Sequence, residues 1–240
     1  MARRLIVLAW AHRRVRALVI VLLFADIAAI LLHVGYVFAA RGIVSVDWLY
    51  DPAFYMKYGG SYATQFGFVV IGATALIGAW LFVSRREAVY AAIVVVYLGI
   101  LANDMFRLHV ILGDWIDDTW NLQALYQRAG SYVGEAIGFA AIGFVLFAGL
   151  LIASLRSSAG HRAIGFLIAV TLVALAAFDG ALDLVHAIHH FNSKWVGDLL
   201  VVIEEGGELA CLTAALIIVA TVAAGWEKPT DSAPVDPAQT

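Results

Sequence analysis

Residues 163–188 read AIGFLIAVTLVALAAFDGALDLVHAI. The run contains no lysine or arginine and is longer than the ~20 residues that cross a hydrocarbon core of ~30 Å. It nevertheless carries Asp179, Asp183 and His186 inside an otherwise apolar face. Five more apolar runs stand at 15–40, 61–83, 88–112, 131–155 and 196–224. With 63% hydrophobic and only 14% charged residues, the chain has too little charge to wet the surface of a soluble domain of its size. A backbone in lipid must satisfy its own hydrogen bonds, so these runs are helices. The expected fold class is all-α, an integral membrane bundle of six transmembrane helices.

One membrane domain, 15–226, takes up nearly the whole chain. It follows a basic segment, 1–14, and precedes a tail, 227–240, expected to be disordered because Pro229, Pro234 and Pro237 punctuate a polar stretch. Arg13, Arg14 and Arg16 precede the first run, and Val37-Phe38-Ala39 resembles a signal cleavage site. The run is too long for a signal peptide and carries Asp26 and His33, so it reads as a retained helix. Cys211 is the lone cysteine, which excludes an internal disulfide. A net charge of −3 gives no reason to expect a nucleic-acid partner; the expected partner is the lipid bilayer.

Charge sets the expected topology. Arg3, Arg4, Arg13, Arg14 and Arg16 precede the first run, Arg85 and Arg86 follow the second, and Arg156 and Arg162 follow the fourth. The alternate connections hold Asp47, Asp51 and Lys57, then Asp114, Asp117, Asp118 and Arg128, then Lys194. The positive-inside rule then places both termini in the cytoplasm of a cell (plasma or inner) membrane. Trp48, Tyr50, Tyr55, Trp115, Trp120, Tyr126 and Trp195 become an aromatic belt at the outer interface.

Similar fragments recur along the chain. Asp47-Trp48 and Gly60-Ser61-Tyr62 bound one connection, and Asp114-Trp115 and Gly130-Ser131-Tyr132 bound another. Gly134-Glu135-Ala136 aligns with Gly207-Glu208-Leu209. Asp26 precedes His33 by seven residues, as Asp179 precedes His186, and seven residues is two turns on one face. Three pseudo-repeated helical hairpins are therefore expected, at about 15–83, 88–155 and 163–224, with two three-helix halves as the alternative.

The chemistry gathers at one depth. Asp26, His33, Asp104, Arg107, His109, Gln65, Glu135, Asp179, Asp183, His186, Glu204, Glu205 and Glu208 all fall in the outer half, while Ile71–Leu81, Ala140–Leu151 and Leu212–Val222 are almost purely apolar. A charged side chain at a helix centre costs on the order of 2.5–3.5 kcal/mol on insertion scales. Such a cluster must hold protons or a cation. Arg107 is expected to form a structural ion pair with Asp104 at i−3, or to reach Glu135. Asp183 and His186 have the i, i+3 spacing by which one helix gives two ligands to a metal, and Glu208 lies one turn from Glu204 and Glu205. The expected metal ligands are Glu135, Asp179, Asp183, His186, Glu205, Glu208, His109, His33 and Asp26, for a divalent transition metal: iron, manganese or zinc.

Plainer roles compete. A lone intramembrane histidine such as His33 is commonly a hydrogen-bonding helix contact. His189 and His190 can simply be solvated at a helix end, Asp198 suits the first turn of the last helix, Glu204 can face headgroups, and Gly134 with Gly138 suits close helix packing. Four functions follow. A metal-centred site, catalytic or metal-handling, comes first, with metal-activated water or oxygen acting on a lipid-soluble or extracytoplasmic substrate. A proton- or cation-coupled transporter or channel is the alternative, weakened by the dry inner half. A haem-binding electron carrier with His33, His109 or His186 as axial ligands and a non-catalytic scaffold complete the set.

Overall fold

In the computed structural model the described residues are 2–126, 130–182, 184–185 and 194–225. Helices account for nearly all of them, and no strand occurs among them. They run as α1 (Ala2–Ala11), α2 (Arg13–Ala40), α3 (Tyr62–Arg85), α4 (Ala88–Phe106), α5 (Leu108–Trp120), α6 (Leu122–Tyr126), α7 (Gly130–Arg156), α8 (Ala159–Ala176) and α9 (Lys194–Ala223). Two short 3₁₀ turns, Asp47–Tyr50 and Pro52–Phe54, lie in the first connection, and a π-helical segment, Ala177–Leu182, continues α8.

Among the described residues six helices are long and apolar enough to cross a membrane: α2, α3, α4, α7, α8 with its π segment, and α9. The chain is a multi-pass membrane protein. Its arginine-bearing turns lie at one end of the bundle, called here the basic end, and the Trp48, Trp115 and Trp195 connections at the other, the aromatic end. Large apolar side chains such as Phe24, Val69, Leu76 and Phe144 point outward, as lipid solvation requires. The buried core is concentrated toward the basic end around Tyr90, Tyr97, Ile93, Leu81, Leu150, Ile164 and Leu212.

Within the basic segment 1–14, α1 buries Leu5 and Ala9 against α2 and α9 and turns into α2 at His12. One expectation is corrected and another is not supported. The run 88–112 is not one helix. Its span stops at Phe106, Arg107 adopts a left-handed conformation (φ 51°), and α5 begins at Leu108. The three-hairpin repeat is not supported. α2 packs mainly on α9 and barely on α3, which instead pairs with α4 and α9. The first connection packs its 3₁₀ turns on α2, which thus meets that connection more than it meets α3.

Asp183 and His186, with His189 and His190, lie outside the described residues, as does the tail 227–240.

Candidate functional site

The break at Arg107 opens the site. The end of α4 and the start of α5 would leave backbone groups unpaired. Asn103 prevents this: its side-chain Oδ1 accepts the backbone N–H of His109 at 3.0 Å, and the Arg107 N–H closes on the Asn103 carbonyl. Oδ1 also meets His109 Nδ1 at 3.1 Å. A carbonyl oxygen can only accept, so Nδ1 carries the ring proton and Nε2 is the basic, lone-pair nitrogen. Asn103 Nδ2 in turn donates to Asp104 Oδ1 at 3.3 Å. Arg107 is exposed, and the expected Asp104–Arg107 pair is absent among the described residues.

α5 is held against α7 by glycine. A Cβ at Gly134 would stand 2.6 Å from the Gly113 carbonyl oxygen, and one at Gly138 would stand 2.6 Å from that of His109. The small-residue pair on α7 thus exists for helix contact, and the contact carries His109 beside Phe139, edge to face at 6.1 Å between centroids.

The opposite wall is the π segment. A π turn inserts a residue and shifts the face a side chain presents; here the inserted turn carries Asp179. Phe178 fits because Gly207 of α9 has no side chain, a Cβ there standing 2.3 Å from the Phe178 ring. Gly180 meets Phe139 in the same way, at 2.8 Å. The Glu204-Glu205-Gly206-Gly207-Glu208 run therefore supplies acids on either side of a glycine slot.

Two cavities result. A small polar chamber of about 50 Å³ is lined by His109, Tyr132, Glu135 and Asp179, with Phe139 and Gly180. A larger one of about 480 Å³ lies between α4, α7 and α8 and shares Phe139, Asp179 and Gly180 with the first. Its walls are apolar, and Asn103, Asp104 and Asp179 are its polar groups. Glu208 interacts electrostatically with Asp179, Glu205, Asp104 and Glu204. Acids from α4, the π segment and α9 thus act together on Glu208, a set called here the acid row, and at one member Lys57 of the first connection donates to both oxygens of Glu204 at 3.0 and 3.3 Å. Glu204 is buried and ion-paired instead of facing headgroups. Asp198 pairs with Arg41, whose guanidinium lies 3.9 Å over Trp195.

His33 and Asp26 stand apart from the chamber. Asp26 is buried on α2 and accepts from Thr213 Oγ1 of α9 at 3.2 Å. His33 is fully buried beneath the first connection, its ring 5.4 Å from Tyr55. The Met56 N–H donates to His33 Nδ1 at 3.2 Å. An N–H can only donate, so the proton of neutral His33 resides on Nε2, which has no partner among the described residues. That nitrogen offers a donor, not the lone pair a metal or haem iron needs. Burial and the nearby carboxylates hold the Tyr55 hydroxyl pKa above its ordinary value despite Lys57.

Of the nine expected ligands, the chamber gathers His109, Glu135 and Asp179, and the acid row adds Glu205 and Glu208. Among the described residues no three His, Cys, Asp or Glu side chains stand together as a metal-binding group. Sequence reasoning missed Asn103, Tyr132 and Lys57. Asn103 could have been suspected from its place in a polar Asn103-Asp104 step within an apolar run. No family model, curated protein or solved structure matches the chain.

Proposed function

We propose that this membrane protein handles a cation inside the bilayer, in the first instance a proton, at His109, Glu135, Asp179 and Glu208. The observation that carries this reading is the polar chamber that brings His109, Glu135 and Asp179 together, with Asp179 among the carboxylates from three elements that act on Glu208. In a low-dielectric interior such a set cannot be fully ionised unless cations are shared among its members. The His109 ring supports the same reading, because the Asn103 oxygen accepts the Nδ1 proton in a hydrogen bond and makes Nε2 the basic nitrogen of the neutral ring. The adjoining large cavity gives a lipid-soluble molecule access to that proton store.

A second reading keeps a divalent transition metal (iron, manganese or zinc) in the polar chamber. It is favoured by the same tautomer: a metal-ligating histidine characteristically donates its other N–H to a carbonyl or carboxylate. His109, Glu135 and Asp179 would be the described ligands, with Asp183 and His186 their expected companions.

Infrared difference spectroscopy of chelator-free protein, with elemental analysis of the same preparation, tests both. On the proton reading a protonated-carboxyl band is present at neutral pH and shrinks in Glu208→Gln and Asp179→Asn. On the metal reading the preparation holds stoichiometric metal, or added zinc or manganese converts that band to carboxylate and raises the melting temperature. Neither a protonated band nor a metal response would defeat both.

A further inference from the structure

We infer that the 480 Å³ cavity between α4, α7 and α8 is a binding site for a long-chain amphiphile whose head group donates hydrogen bonds or carries positive charge. The volume falls within the range of about 300–1,000 Å³ in which proteins enclose small molecules. The walls are Val96 and Ile100 of α4, Leu146 and Phe147 of α7, and Leu172 and Leu175 of α8, a surface that hydrocarbon fills and water wets poorly. The rim includes Phe144 and Val173, which are 70% and 57% exposed. On a membrane-spanning bundle those side chains face lipid, so the cavity opens sideways and a ligand enters from the bilayer without crossing water.

The polar end decides the head group. Asp104 and Asp179 line the cavity, and Asn103 points its amide nitrogen at Asp104 while its oxygen is taken by His109. What faces the ligand is acid oxygen, from Asp104, which is outside the four proton-handling residues, and from Asp179 when it gives up its proton. An anionic head, such as a fatty acid or phosphate, is repelled there; an ammonium or hydroxyl head is attracted and donates. Carboxyl oxygens accept hydrogen bonds, so a head with N–H or O–H protons is favoured. Phe139 and Gly180 close the boundary with the polar chamber, placing the ligand's head next to His109 and Glu135. This inference rests in part on the cation-handling reading, since Asp179 serves both.

The test uses the full chain in lipid nanodiscs and a photoreactive long-chain primary amine, with the matching fatty acid and fatty alcohol as competitors. The amine is expected to label α4, α7 or α8 saturably, with unlabelled amine competing well, alcohol less, and acid poorly. Asp104→Asn should weaken amine binding about tenfold or more, the loss of one charge-assisted bond, and leave the alcohol within about twofold. Gly143 lines the cavity, and a Cβ there meets nothing within 4 Å, so Gly143→Phe can fill the space without a backbone clash and should abolish labelling by both. Equal competition by amine, alcohol and acid would mean a general acyl-chain groove and overturn the proposal, as would unsaturable labelling or labelling that survives Gly143→Phe. Gly143→Phe should keep the protonated-carboxyl band, whereas Glu208→Gln should diminish the band and retain amine binding. The two readings therefore fail separately.

Discussion

Single hydrogen bonds decide what each histidine can do here. His33 and His109 look alike in the sequence, an imidazole near the aromatic end of an apolar run, but their neighbours fix opposite tautomers: a backbone N–H at Nδ1 of His33 and a carbonyl oxygen at Nδ1 of His109. Nitrogen-15 spectra of the selectively labelled protein at a pH where both rings are neutral should show Nε2–H for His33 and Nδ1–H for His109. Identical tautomers would undo the distinction. Asn103→Ala should release the His109 ring and cost about 1–3 kcal/mol, because a buried donor loses its acceptor. At the basic end, Glu87 accepts the Ser158 N–H and hydroxyl at 3.1 and 2.8 Å, while Ser157 Oγ accepts the Val89 N–H at 3.1 Å. The two connections cap each other's helices. Burial alone lifts the Glu87 pKa, but the Ser158 bonds, His161 and Ser157 together outweigh it and hold the carboxyl below its ordinary value of 4.5. A depressed carboxyl stabilises the fold above the unfolded pKa, and the benefit fades as pH falls through the folded one. Melting temperature should therefore decline below about pH 4.5 partly through Glu87, and Glu87→Gln should flatten that part of the decline. An unchanged acid limb in the variant would remove Glu87 from the account.

At the scale of helices, apolar length was legible and interruption was not. All six spans were readable because insertion depends on a run of some twenty apolar residues, a property of composition alone. The left-handed Arg107 and the π turn at Ala177–Leu182 depend on tertiary partners: Asn103 reaching forward to His109, and Phe178 entering the slot above Gly207. No local propensity marks either. The repeat is not supported, for a related reason. Asp26 with His33 matched the Asp179 spacing, but Asp26 sits on a regular helix bonded to Thr213 while Asp179 sits in a π turn. Equal spacing therefore gave unequal surroundings. Glycine makes the sharpest element-level prediction, since α7 bears glycines of both kinds. Gly134→Ala drives a methyl toward the Gly113 carbonyl oxygen and should cost about 1–3 kcal/mol by forcing α5 off α7. Gly143→Ala, with open space around it, should be neutral or gain up to about 1 kcal/mol of helix propensity. Thermal melts in one detergent compare them, and equal losses would mean that the α5–α7 crossing is not tight.

For the whole molecule, the distribution of charge argues which way the site faces. The polar chamber, the acid row, the Lys57–Glu204 pair and the exposed Trp48, Trp115, Trp120 and Trp195 all belong to the aromatic half. The opposite end carries Arg13, Arg14, Arg16, Arg85, Arg86, Arg156 and Arg162. Arginines in short connections resist translocation, so the basic end should remain cytoplasmic and the site should open on the far side. Asp118 and Arg85 are both exposed and lie at opposite ends, which suits them to reporting the side. Asp117, by contrast, is buried and holds Gln123 at 2.8 Å, so a probe there would disturb what it reports. In a Cys211→Ala background, a membrane-impermeant maleimide added to intact cells should label Asp118→Cys at once. Arg85→Cys should react only after permeabilisation. Because the described residues provide six helices long enough to span, a single reversed result inverts every connection together. The acid row would then take its cation from the cytoplasm, and the amphiphile's head would lie at the cytoplasmic level of the bilayer.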